Sequence, residues 1–135
     1  MKKTKILNAD LSAMIALMGH TDTMAIGDAG LPIPDSSKRI DLAVKRGLPS
    51  FIDVLETILS ELEVEEITIA SEMTAENPAL YKRLMEMFPA IKINQVPHTE
   101  FKEMTKSCKA VVRTGECKPF ANIILQSGVA FDSEE

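Results

Sequence analysis

The sequence predicts a single-domain, three-layer α/β/α sandwich over residues 1–135, built on a mixed, largely parallel sheet. Three observations predict it. Short β-branched runs bounded by turn residues alternate with amphipathic stretches of helical period, the pattern of strands joined through crossover helices. The chain has 135 residues, of which 45% are hydrophobic and 26% charged, the composition of one ordered core. No repeat, low-complexity run or linker breaks it.

Each element has a local signal. Asn8 or Asp10 can cap a first helix running through Met18, with Leu11, Met14, Ile15 and Met18 on one stripe and Gly19 as the stop. Thr23 to Gly27 reads as a buried strand ending at Asp28. Pro32, Pro34 and Asp35-Ser36-Ser37 give an extended loop, and Arg39 to Val44 reads as a strand. Pro49 suits the first residue of a second helix with the stripe Phe51, Val54, Leu55, Ile58, Leu59, Leu62. Val64 to Ala70 is the next strand. Asn77-Pro78 then starts a third helix carrying Leu80, Leu84, Met87 and Phe88. Ile91 to Val96 reads as a half-exposed strand, Thr99 to Lys106 as a helix, and Ala110 to Thr114 and Phe120 to Gln126 as two strands; Val129 to Phe131 adds a short edge.

Composition narrows the function. With 15 Lys and Arg against 20 Asp and Glu, the net charge is −5, which offers no basic face for a phosphate backbone. No apolar run reaches the 18 or so residues of a membrane span, and the Met-Lys-Lys start lacks the apolar core of a signal peptide. The expectation is a soluble, cytoplasmic protein that binds neither nucleic acid nor membrane. Cys108 and Cys117 lack metal-ligand spacing, two histidines cannot make a zinc site without carboxylate or thiolate help, and Walker and GxGxxG phosphate loops are absent. The expectation is therefore a site without metal or cofactor.

Several polar residues are placed to do proton chemistry or bind hydroxyls. His20, in Gly19-His20-Thr21-Asp22, follows the first helix; its C-terminus, and Asp22 if it turns inward, favour the imidazolium form. A purely local capping role is the other reading. Asp28 stands at the carboxyl end of a strand, where ligands of open α/β sheets bind; alternatively it only holds the Gly30 turn. His98 and Lys102, four apart, share a helix face and can hold a hydroxylated ligand, or are a cap residue and a solvated charge. Phe120 offers an apolar face to a sugar ring and Asn122 a donor and an acceptor, unless they plug and close a hairpin. Arg113 and Glu116 can pair across that turn.

Taken together, Gly19-His20-Thr21-Asp22, Asp28-Ala29-Gly30-Leu31-Pro32-Ile33-Pro34 and Arg39-Ile40-Asp41 resemble the signature of the D-ribose pyranase family, in the ribose/fucose mutarotase group. The resemblance continues in order through Gly47-Leu48-Pro49-Ser50-Phe51, Glu76-Asn77-Pro78, Pro97-His98, Arg113-Thr114-Gly115-Glu116 and Ala121-Asn122-Ile123-Ile124-Leu125, spanning nearly the whole chain. The run GHTDT…DAGLPIP favours the ribose branch over the fucose branch. The resemblance implies an isomerase of D-ribose or a related monosaccharide, with no cofactor. It implies His20 as proton donor; Asp28, His98, Lys102 and Asn122 on the sugar hydroxyls; and Phe120 and Ala121 lining the pocket. It also implies a ring-shaped homo-oligomer, typically a decamer of two pentamers, with the pocket near a subunit boundary. Two other functions stay open: a non-catalytic monosaccharide-binding module of ribose uptake, and a mutarotase for another sugar such as fucose. Phe120 departs from the Tyr usual in the family, and a missing pocket hydrogen bond of this kind is worth about 0.5–1.5 kcal/mol.

Overall fold

The computed structural model describes residues 1–131. Its sheet has six strands in the order β2-β5-β1-β6-β3-β4: β1 Thr23–Gly27, β2 Lys38–Asp41, β3 Val64–Ala70, β4 Lys92–Val96, β5 Ala110–Arg113 and β6 Ile123–Ser127. The pairs β1/β5, β2/β5 and β3/β4 are parallel, whereas β6 is antiparallel to both of its neighbours, β1 and β3. One reversed strand thus sits between two parallel sets, as the mixed, largely parallel prediction requires.

Alternation along the central strands divides the core into two. Met24, Ile26, Ala110, Val112, Ile123 and Leu125 face a large cluster shared with α1 (Ala9–Leu17), α2 (Phe51–Leu59), α3 (Met73–Glu76) and α4 (Pro78–Met87). Ala25, Val111 and Ile124, the intervening residues, face the opposite side and pack with Leu31, Cys108 and Phe101 of α5 (His98–Met104). The second outer layer is thin: α5, the 3-10 turn Thr105–Ser107 and the loop after β1 form it. Phe101 is its anchor, fully buried, and burying such a side chain contributes about 1.5–3 kcal/mol.

The caps follow the local chemistry. Asn8 accepts from the Leu11 N–H at 2.9 Å and starts α1. Ser50, not Pro49, starts α2: its Oγ accepts from the Asp53 N–H at 3.1 Å, leaving Pro49 one residue outside. The strand expected over residues 39–44 ends at Asp41, because the Asp41 carboxylate takes the Ala43 N–H at 3.0 Å and turns the chain. The last strand starts at Ile123 rather than Phe120, since Phe120 is in the left-handed region (φ 56°), which no strand residue adopts. Residues 129–131 form no edge strand, and α3 was not anticipated. No helix among the described residues is long and apolar enough to cross a membrane.

Gly115 anchors the turn that leads to the site. Its N–H donates to the Pro49 carbonyl at 2.9 Å and its carbonyl accepts from Gly47 at 2.6 Å. A Cβ there would stand 2.5 Å from the Leu48 oxygen and 2.6 Å from the Lys45 oxygen, both backbone atoms. Gly115→Ala is expected to lower stability by about 1–3 kcal/mol, read as a lower urea midpoint with an unchanged slope.

Candidate functional site

Strand direction decides which residues meet. β1 and β4 run the same way, so the residues following them, Asp28 and His98, emerge at one edge of the sheet, its carboxyl edge. Because β6 runs in reverse, the residues preceding it, Phe120, Ala121 and Asn122, emerge at that same edge. Open α/β sheets bind ligands there, near a switch in strand direction.

Asn122 is the pivot. Its side chain is completely buried, and its Oδ1 accepts the Asp28 backbone N–H at 2.8 Å. Its own N–H turns back to the Phe120 carbonyl at 2.9 Å, a tight kink that the left-handed Phe120 makes. The Phe120 ring meets the His98 ring edge-on at 5.1 Å, and His98 lies nearly parallel to Phe101, with 6.2 Å between ring centres. His98 and Lys102 are both on α5, one turn apart as expected. Ala121 is 1% exposed and its side chain belongs to the main core.

Two buried side-chain nitrogens at this edge have no protein partner among the described residues: His98 Nδ1 and Asn122 Nδ2. Buried polar atoms are nearly always paired, so two orphans at one edge of the sheet make it a candidate ligand site. The Asp28 carboxylate holds the Gly30 N–H through Oδ1 at 2.9 Å, so the turn-forming role is real. Beside it opens a cavity of about 400 Å³ lined by Asp28, Gly30, Arg46, Glu116, Lys118 and Pro119.

His20 lies elsewhere. It precedes β1, its neighbour Thr21 bonds to Ser127 at the far end of β6, and its Nε2 is 2.8 Å from Glu65 at the start of β3. At about 3.3 Å per residue, the length of β1 puts His20 and Asp28 some 13 Å or more apart along the sheet. Asp22 does not face the His20 ring; its Oδ2 accepts the Gly19 N–H and Glu65 takes the place expected for it.

Other residues shape the site without being foreseen. Both carboxylate oxygens of Glu72 accept the His98 N–H, at 3.0 and 3.2 Å, substituting for the side-chain cap that Pro97 lacks. The Glu72 carboxyl is held below the usual range, chiefly by its own N–H and also by that of His98. Asn77 stands at the cap of α4, but its amide donates instead to the Pro119 carbonyl at 2.9 Å, bracing the Phe120 kink. Arg113 and Glu116 do not pair. Arg113 bonds Asp41 and the Ala29 carbonyl, while the Glu116 carboxylate takes the Phe51 and Lys118 N–H groups. Glu72 is two residues past the end of β3, and nothing in the local pattern links it to His98.

A mixed six-stranded sheet with one reversed strand, with two buried unpartnered nitrogens at its carboxyl edge, makes this a small α/β domain with a candidate ligand site at that edge. The chain belongs to the RbsD / FucU transport protein family, whose model matches residues 1–130. It is 55% identical over 131 residues to the D-ribose pyranase of Clostridium botulinum (strain Eklund 17B / Type B), covering 97% of this chain and 100% of that one. It is 56% identical over 131 residues to the D-ribose pyranase of Coprothermobacter proteolyticus, with the same coverage. The structure of Bacillus subtilis RbsD complexed with D-ribose superposes with a TM-score of 0.94 at 47% identity, over 97% of this chain and 100% of that one. The fucose mutarotase from Streptococcus pneumoniae, in complex with L-fucose, gives 0.78 at 25% identity, over 96% and 99%.

Proposed function

We propose that this protein is a D-ribose pyranase, interconverting the β-pyranose and furanose forms of D-ribose. The observation that carries this reading is the pair of buried, unpartnered nitrogens, His98 Nδ1 and Asn122 Nδ2, at the edge where Asp28 also stands. Its likeness to proteins named D-ribose pyranase at about half identity over full length supports the choice of sugar. Asp28, His98, Lys102 and Asn122 hold the hydroxyls, with Phe120 and the backbone of Ala121 against the ring.

The reaction moves protons and one C–O bond. A proton goes to the ring oxygen, the bond from it to the anomeric carbon breaks, and the anomeric hydroxyl loses its proton to leave an aldehyde. The C4 hydroxyl then adds to that carbon, with the proton steps reversed, and closes the furanose. His20 as imidazolium gives the first proton. General acid–base help of this kind contributes about 10²–10⁴-fold, enough for a reaction that already proceeds in water.

Within one protomer His20 is at the wrong end of the sheet to reach the cleft. This separation supports a site shared between copies, one giving His20 and the next the cleft; the family resemblance makes the assembly a cytoplasmic homo-oligomer of two pentameric rings.

Exchange NMR on D-ribose at equilibrium tests the reading. Faster pyranose–furanose exchange on adding the protein is expected. Ribose binding without acceleration would make it a binding module, the reading Phe120 favours, and acceleration for L-fucose alone would make it a mutarotase of another sugar. Phe120→Tyr is expected to tighten ribose binding roughly 2- to 12-fold, measured by calorimetry, through the added hydrogen bond.

A further inference from the structure

His20 does not stand alone at its end of the sheet. Its Nε2 is 2.8 Å from Glu65 Oε1, and the other oxygen of the same carboxylate, Oε2, takes the Gln126 Nε2–H at 2.7 Å. Three side chains from three segments therefore form a chain: Gln126 on β6, Glu65 on β3 and His20 ahead of β1. Both oxygens of the middle member are held, so the carboxylate cannot rotate away from the ring.

The backbone is shaped to allow this. Val64 pairs with Ser127 and Glu66 with Gln126, so Glu65 is an extra residue in β3, the mark of a β-bulge. Side-chain facing records the same break: Val64 shares the main core with Ile67 and Ile69, although a regular strand would put residues 64 and 67 on opposite faces. The bulge re-aims Glu65 toward His20. Gly128 leaves room for it, since a Cβ there would lie 3.2 Å from the Glu65 Cβ. The Glu65 carboxyl is held below its usual range, first by the Gln126 hydrogen bond and then by that of His20, so it remains ionised through mildly acidic and neutral pH.

An ionised carboxylate only accepts hydrogen bonds, so the ring nitrogen facing it must carry the hydrogen. The other nitrogen is left to take up and give the mobile proton, as a carboxylate does for the base of a catalytic triad. We infer that Glu65 is the positioning residue of His20, and that His20 Nδ1 is the atom that exchanges its proton with the sugar. This inference rests on the reading of His20 as the acid. Of the other charges around the turn, Asp22 bonds Gly19 and lies 4.0 Å from Lys109 Nζ, and Glu63 is joined to Gly128 through its backbone carbonyl. Among the described residues, Glu65 is the carboxylate that contacts the His20 ring.

The experiment compares the wild type with Glu65→Ala, Glu65→Gln and His20→Ala in the ribose exchange assay, with side-chain ¹⁵N spectra of the oligomer. In the wild type, the neutral His20 ring is expected to be protonated on Nε2. Glu65→Ala is expected to lower the exchange rate at saturating ribose roughly 10- to 100-fold, part of what a positioned acid contributes, with KM for ribose within about twofold. Glu65→Gln, which keeps an acceptor but no charge, falls between. A neutral ring protonated on Nδ1 in the wild type overturns the assignment without any substitution. A wild-type rate in both Glu65 variants, with the rate lost in His20→Ala, overturns the role of Glu65 alone; a wild-type rate in His20→Ala overturns the underlying reading instead.

Discussion

Replacing His20 with alanine is expected to remove the acceleration of ribose exchange by about 10²–10⁴-fold while leaving the fold and ribose binding in place. Three features of the structure set these directions. The His20 side chain is 54% exposed and lies outside both core clusters, so its loss opens no cavity. Its ion contact with Glu65 is solvent-facing, and such pairs contribute about 0–1 kcal/mol to stability. The groups assigned to hold the sugar are at the opposite edge and do not touch it. Exchange NMR with a parallel binding isotherm checks the prediction; an unchanged exchange rate removes His20 from the chemistry.

Asn122→Ala has the opposite profile, with binding and stability falling together. The substitution deletes the unpartnered amide nitrogen proposed to bind the sugar and the acceptor of the Asp28 N–H in one step. A partly buried N–H left without a partner costs about 1–3 kcal/mol, and the same range applies to the lost contact with the sugar. Ribose affinity is expected to weaken roughly 10-fold or more, and the urea midpoint to drop. The position admits no easy compensation, because the Cβ of a residue at 27 would already lie 3.1 Å from Asn122 Oδ1 and 2.5 Å from Leu31 Cδ2. Wild-type affinity in Asn122→Ala, by calorimetry, would show that its free amide does not face the sugar.

Much of this was legible in the residues. β1 and β3 have the bounds that their β-branched runs imply, Asn8 caps α1 as its type suggests, and the α2 stripe Phe51, Val54, Leu55, Ile58 is buried along its length. The resemblance placed Asp28, His98, Lys102, Phe120 and Asn122 together, and the sheet brings the segments bearing them to one edge. What was missed is non-local. Phe120 looks like a strand residue by type, yet its backbone is bent into the left-handed region, with Asn77 bracing the preceding Pro119 carbonyl from 42 residues away. Glu72 and His98 are 26 residues apart, and Glu65 and His20 are 45 apart. No periodicity connects such pairs.

By itself the sequence determined what each segment is and which of its residues turn inward, because burial in a strand or helix follows periods of about 2 and 3.6 that are written locally. Only the tertiary structure decided which end of the sheet each polar residue occupies. Reversal of β6 carries Asn122 to the edge of Asp28 and His98, while the start of β1 leaves His20 at the other. One inserted residue in β3 then turns Glu65 to meet it. Strand direction and register come from pairing between distant segments, where a shift of one residue exchanges the two faces.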